Sequence, residues 1–218
     1  MNWKPPNQLT IARIALAGVF FVLLGLYEPG AANDKALLTA AFVIYIVAGI
    51  TDVLDGWIAR KYNWTSAFGR ITDPFVDKVL VVGAFAMFSG ANFRMDPAAL
   101  QAAVAYEATL PHWLTGHMAS AVQAWMVVVI MAREFIVSAV RGYSESQGIK
   151  FPATSAGKIK MFIQSVDICS ILYQLANLQQ AQWAVITKIA LVWLSVIATV
   201  ASGFAYIGKA RKVFLEDE

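Results

Sequence analysis

The chain has 218 residues, 59% of them hydrophobic and only 14% charged, with a formal net charge of +3. Its mean hydropathy of +0.60 excludes an ordinary soluble domain, in which about a quarter of residues carry charge. The lone cysteine, Cys169, excludes an intrachain disulfide, and the two histidines, His112 and His117, share one connection, which leaves too few soft ligands for a zinc site.

A helical membrane span takes about 20 apolar residues. Runs of that kind occupy 9–27, 36–56, 71–90, 119–142, 158–178 and 183–207. The first follows Lys4, and Gly30-Ala31-Ala32 imitates a small-residue cleavage site. Arg13, however, breaks the run near its start, and its length is that of a full span, so it reads as an uncleaved helix. Glu28-Pro29-Gly30 separates it from the second run, which ends in Asp52 and Asp55; the third opens on Asp73 and Asp77. In the longer connection over 92–118, Pro97 starts a short amphipathic helix through Ala105 and Pro111 ends it. The fourth run holds Arg133, Glu134 and Arg141, and Gln147-Gly148-Ile149 closes it. The fifth carries Lys158, Lys160 and Asp167, for which a basic partner on a neighbouring helix is expected. Trp57, Trp64, Trp113, Trp125 and Trp183 near the span ends read as an interfacial belt. No internal repeat divides the chain, so 1–218 reads as one all-α polytopic membrane domain.

The basic residues orient it. With the N-terminus inside, fourteen of the seventeen Lys and Arg fall on the cytoplasmic half, and only Lys35, Arg94 and Lys188 fall outside. That is a strong positive-inside bias, and six spans return the C-terminus to the same side. The net positive charge therefore reports topology and not nucleic-acid binding. The expected setting is a bacterial inner membrane, with the acidic stretch facing the cytoplasm.

Asp52, Asp55, Asp73 and Asp77 fall within 26 residues at the edges of two apolar runs, although a carboxylate near a helix centre costs roughly 2.5–3.5 kcal/mol. Asp52 and Asp55 are one helical turn apart, with Gly56 and Ala59 on the same face; Gly69, Asp73 and Asp77 follow an i, i+4, i+8 stripe. Two antiparallel helices joined through 61–68 can present both pairs to one point. Any single aspartate also suits a helix end paired with Arg60, Arg70 or Lys78. Four on two matched stripes favour a site, and an all-oxygen donor set suits a hard cation such as Mg²⁺, Mn²⁺ or Ca²⁺.

The pattern Asp52-x2-Asp55-Gly56-x2-Ala59-Arg60-x8-Gly69-x3-Asp73-x3-Asp77 resembles the signature of the CDP-alcohol phosphotransferase family. The resemblance implies six helices, a homodimer and a divalent metal, Mg²⁺ or Mn²⁺, held by Asp52, Asp55 and Asp73. It implies that Asp77 is the general base and also a metal ligand, that Gly56, Ala59 and Gly69 make room for the cytidine nucleotide, and that Asp52 and Arg60 lie beside it. "PNQLTIARIAL" from Pro6, "AREFIVSAVRGYSESQG" from Ala132 and "SAGKIKMFIQ" from Ser155 resemble the phosphatidylglycerophosphate synthase branch. Met161 stands where that branch usually has Thr, and the 92–118 connection is unusually long.

The rest of the charge pattern asks for an anionic acceptor. Arg13, Arg133, Arg141, Lys158 and Lys160 fall on the membrane side of the aspartates, and charges inside apolar helices are by default functional. Glycerol 3-phosphate would use them, with CDP-diacylglycerol as donor; contact with the phosphates of membrane lipids is the plainer alternative. Transfer to inositol phosphate or serine is the nearest rival activity. A divalent-cation channel or transporter lined by carboxylates is the rival of a different class.

Overall fold

Two prolines open the first helix, where a missing backbone N–H costs nothing. The structure, a computed structural model, describes residues 5–62, 67–95, 110–147, 155–179 and 181–215; of Asp55, Ala59, Arg60, Gly69 and Asp73 it describes only the helical backbone. Helix α1 is Pro5–Gly25. The turn that follows uses Gly30 at φ +83°, a conformation that glycine adopts without strain. Asp34 then opens α2, Asp34–Tyr62; its carboxylate accepts the Gly30 N–H at 3.2 Å and suits the positive end of the helix dipole. The 29 residues of α2 run roughly 44 Å, more than the ~30 Å hydrocarbon thickness. Asp52 and Asp55 stand in its C-terminal part.

Helix α3 is Ala67–Phe88, with Pro74 inside it; Pro74 removes the N–H that would bond the Arg70 carbonyl between the two aspartates of that stripe. A 3₁₀ turn at Ala91–Phe93 and an Arg94–Met118 bridge draw the ends of the long connection together. Ser120 Oγ donates to the Phe88 carbonyl at 2.7 Å. The helix expected from Pro97 to Ala105 lies outside the described residues. Pro111, expected to end it, instead precedes a single helical turn at His112–Thr115. The remaining helices are α4 Ala124–Ser146, α5 Ser155–Asn177 and α6 Gln182–Leu215.

The described residues thus contain six long helices where six runs were expected. Three of them are long and apolar enough to cross a membrane: Gln8–Gly25, Asp34–Ile58 and Gln182–Gly208. The other three, α3 to α5, hold the interior charges that lower their apolarity. Helix α1 packs on α2 and α3, α5 on α2 and α6, and α4 on α6; α3 also touches α4 and α5. Helices α2 and α3 each pack on α1. Their shared core includes Phe20, Leu24, Phe85, Phe88, Ile130 and Ile168, all 0–1% exposed.

Candidate active site

Charged side chains gather around the middle of α3 and α4, where Asp77 and Glu134 lie. Arg13 on α1, 1% exposed, reaches Asp52 on α2, its Nη1 lying 2.5 Å from Oδ1. Asp77 on α3 lies within electrostatic range of Asp52, Arg13, Lys160 and Glu134. Five helices therefore contribute charge to one region, where Arg13 of α1 joins Asp52 of α2. Part of the compensation for the aspartates is thus protein-borne: Arg13 neutralises Asp52 through one oxygen. A carboxylate with two oxygens and about four lone-pair sites can still accept a second partner.

Glu134 on α4 is buried and binds two cations at once. Lys160 Nζ from α5 donates to its Oε1, and Arg133 Nη1 donates to the same oxygen at 2.8 Å. Lys78, next to Asp77, donates to Ser138 Oγ, which in turn donates to the Glu134 carbonyl at 2.6 Å. The Arg133 side chain also lines a cavity of about 160 Å³ between α4 and α6, walled by Val129, Ile136, Val200, Gly203 and Phe204. Arg141 is half-buried, and its Nε has no hydrogen-bond partner among the described residues. Lys158 is exposed, in the first turn of α5.

Of the residues singled out in the sequence, Arg13 pairs with Asp52, Asp77 lies within electrostatic range of both and of Lys160, and Arg133 and Lys160 share Glu134. Gly56 is half-buried on α2, and Asp55 lies on the same continuous helix. Asp73 is one turn before Asp77 on α3 by its backbone position. The sequence reading named Glu134 beside Arg133 and gave it no role; its pairing with Lys160 spans 26 residues, which no periodicity reveals. Asp167 corrects an expectation. It is fully buried, but its polar neighbour is Ser195 of α6 and not a basic residue, and neither of its oxygens makes a bond of hydrogen-bond geometry among the described residues.

The donor set suits a hard divalent cation. Asp52 and Asp77 offer carboxylate oxygens, Asp55 and Asp73 stand one turn from them, and no His or Cys takes part. Among the described side chains no group of three His, Cys, Asp or Glu comes together; the described members of the set are Asp52 and Asp77. Around this region the outer faces stay apolar. Val53, Phe75, Phe135, Phe162 and Phe204 are all exposed, and the first three stand within two residues of Asp52, Asp77 and Glu134. The charged centre is collared by hydrocarbon at its own level.

Apolar helices closed around a centre of carboxylates and basic side chains define a membrane protein with an enzyme-like site. The family model for CDP-alcohol phosphatidyltransferase matches residues 3–201, and the chain belongs to that family. It is 30% identical over 215 residues to the CDP-diacylglycerol–glycerol-3-phosphate 3-phosphatidyltransferase of Bacillus subtilis (strain 168), covering 94% of this chain and 93% of that one. The enzyme of the same name from Rickettsia bellii (strain RML369-C) is 29% identical over 209 residues, 96% of each chain. That from Haemophilus influenzae (strain KW20) is 29% identical over 219 residues, 100% of this chain and 98% of that one.

Proposed function

We infer that this chain transfers the phosphatidyl group of CDP-diacylglycerol to glycerol 3-phosphate, giving phosphatidylglycerophosphate and CMP for phospholipid biosynthesis. The observation that carries the reading is the pairing of Asp52 with Arg13 beside Asp77, which has Lys160 and Glu134 within electrostatic range. Relatives of the same length, aligned nearly end to end, bear the name of this reaction.

A divalent cation, Mg²⁺ or Mn²⁺, held by Asp52, Asp55, Asp73 and Asp77, supplies neutralising charge for the donor pyrophosphate. The chain's own groups do the rest. Gly56, Ala59 and Gly69 leave room for the nucleotide, with Arg60 beside it. Lys160, Arg133 and Arg141 hold the acceptor phosphate, with Arg13 and Lys158 at its margin. Asp77 takes the proton of the acceptor hydroxyl as its oxygen forms the new bond to the lipid-borne phosphorus and the bond to CMP breaks. Apolar surroundings keep water from competing for the same phosphorus. In this reading residues 1–218 form one domain of six spans with both termini cytoplasmic. It works as a homodimer in a bacterial inner membrane, its site opening to the cytoplasm.

Purified protein given CDP-diacylglycerol, Mg²⁺ and a panel of alcohols tests this. The expected result is CMP release matched by phosphatidylglycerophosphate with glycerol 3-phosphate alone, abolished by EDTA and restored by Mg²⁺ or Mn²⁺. Turnover with serine or inositol phosphate in its place reassigns the acceptor. Absence of CMP release, with divalent-ion flux into protein-containing vesicles, would favour the channel reading.

A further inference from the structure

We propose that Glu134 is a positioning residue that holds the Lys160 ammonium on α4 and so keeps Asp77 open to its cation and to the acceptor hydroxyl. The inference rests on the function proposed above and assigns a role to a carboxylate that the acidic signature does not contain.

Lys160 is 2% exposed and Glu134 9%. A buried ammonium in an apolar helix assembly must sit against a counter-charge, since stranding it is far costlier than pairing it. Two carboxylates stand within its electrostatic reach, Glu134 and Asp77. The ammonium bonds Glu134, and the same Oε1 also takes Arg133 at 2.8 Å. Glu134 is fixed in turn: its backbone carbonyl receives Ser138 Oγ, and Ser138 receives Lys78 from α3. Helix α4 thereby keeps a defined distance from the helix that carries Asp77. Both cations stay near the reacting centre, where an anionic acceptor needs them, without closing directly on the catalytic aspartate.

Removing the Glu134 charge leaves Asp77 as the carboxylate within reach of Lys160 among the described residues. An ammonium bound there neutralises a ligand of the divalent site and competes with the cation for its oxygens. The consequence is a sign that simple loss of packing does not produce: deleting the second charge should undo the damage caused by deleting the first.

The test is Mn²⁺ binding to detergent-solubilised full-length protein, followed by electron paramagnetic resonance and independent of turnover. Glu134→Gln is expected to weaken Mn²⁺ binding at least ~10-fold, roughly 1.4 kcal/mol. Glu134→Asp, which keeps the charge, should stay within about threefold of the parent. The double variant Glu134→Gln/Lys160→Gln should return to within about threefold as well, by the additivity test of a double-mutant cycle. If Glu134→Gln alone does not fold, the double variant carries the test, because it no longer holds a stranded ammonium. Parent-like Mn²⁺ affinity in Glu134→Gln overturns the proposal. So does a double variant that fails to fold or binds no better than the single. A parent protein that neither binds Mn²⁺ nor releases CMP removes the functional reading instead. A parent and a Glu134→Gln that both do so equally remove only the role of Glu134.

Discussion

Asp52 and Asp77 belong to one acidic set yet keep different company. Asp52 has a 44% exposed side chain with Arg13 pressed on one oxygen, while Asp77 stands among Asp52, Arg13, Lys160 and Glu134. The first is built to hold charge at the rim and the second to face several partners inside. Asp77→Asn preserves size and hydrogen bonding but removes the group that accepts a proton. It should lower kcat by about 10²–10⁴-fold, the usual weight of a positioned base, while CDP-diacylglycerol binding stays near the parent's. Asp52→Asn should weaken donor and Mn²⁺ binding together. Turnover beside donor titration separates the two, and an Asp77→Asn protein with near-normal kcat ends its assignment as base. The four aspartates were legible because their spacing repeats the helical period on two segments. The partners of Asp52 and Glu134 were not, because ion pairs such as Arg13–Asp52 and Glu134–Lys160 depend on which helices become neighbours, and periodicity within one segment carries no such information.

Helix contacts decide how closely those segments approach. On α3, a Cβ added to Gly83 would lie 2.4 Å from Phe21 Cζ on α1, so the bare backbone is what lets the two helices close. Gly83→Ala forces the Phe21 ring out of place and should cost about 1–3 kcal/mol, as overpacking typically does, seen as a lower thermal unfolding midpoint in detergent. Gly83→Ala/Phe21→Leu should regain most of the loss. A midpoint unchanged in Gly83→Ala with Phe21 present rules out this contact as the constraint. All six long helices were legible in the sequence, but their ends were not. The second run, expected at 36–56, extends as a helix over Asp34–Tyr62, and the sixth, expected at 183–207, over Gln182–Leu215. Hydropathy marks the apolar middle of a helix, whereas backbone hydrogen bonding continues through polar end turns such as Arg60 and Lys61. Helix α1 packs on both α2 and α3, a contact that the order of the segments in the sequence does not reveal.

Taken whole, the molecule gathers charge inside and is apolar on its outer faces, the reverse of a soluble enzyme whose cleft opens to water. Val53, Phe75, Phe135, Phe162 and Phe204 are exposed on those faces. A two-chained lipid donor can instead arrive sideways, by diffusion within the plane, and its effective concentration is a surface density. In mixed micelles, initial rate should therefore follow the mole fraction of CDP-diacylglycerol in detergent. Diluting the lipid twofold with added detergent at fixed bulk concentration should lower the rate about as much as halving the lipid at fixed detergent, when the donor is below saturation. Glycerol 3-phosphate, which is water-borne, should follow its bulk molarity under the same dilution. A rate that ignores added detergent would mean that the donor reaches the site from the aqueous side. In the proposed reaction the bilayer would be both the solvent of the helices and the reservoir of the donor, and other lipids would slow turnover by diluting that donor without touching the protein.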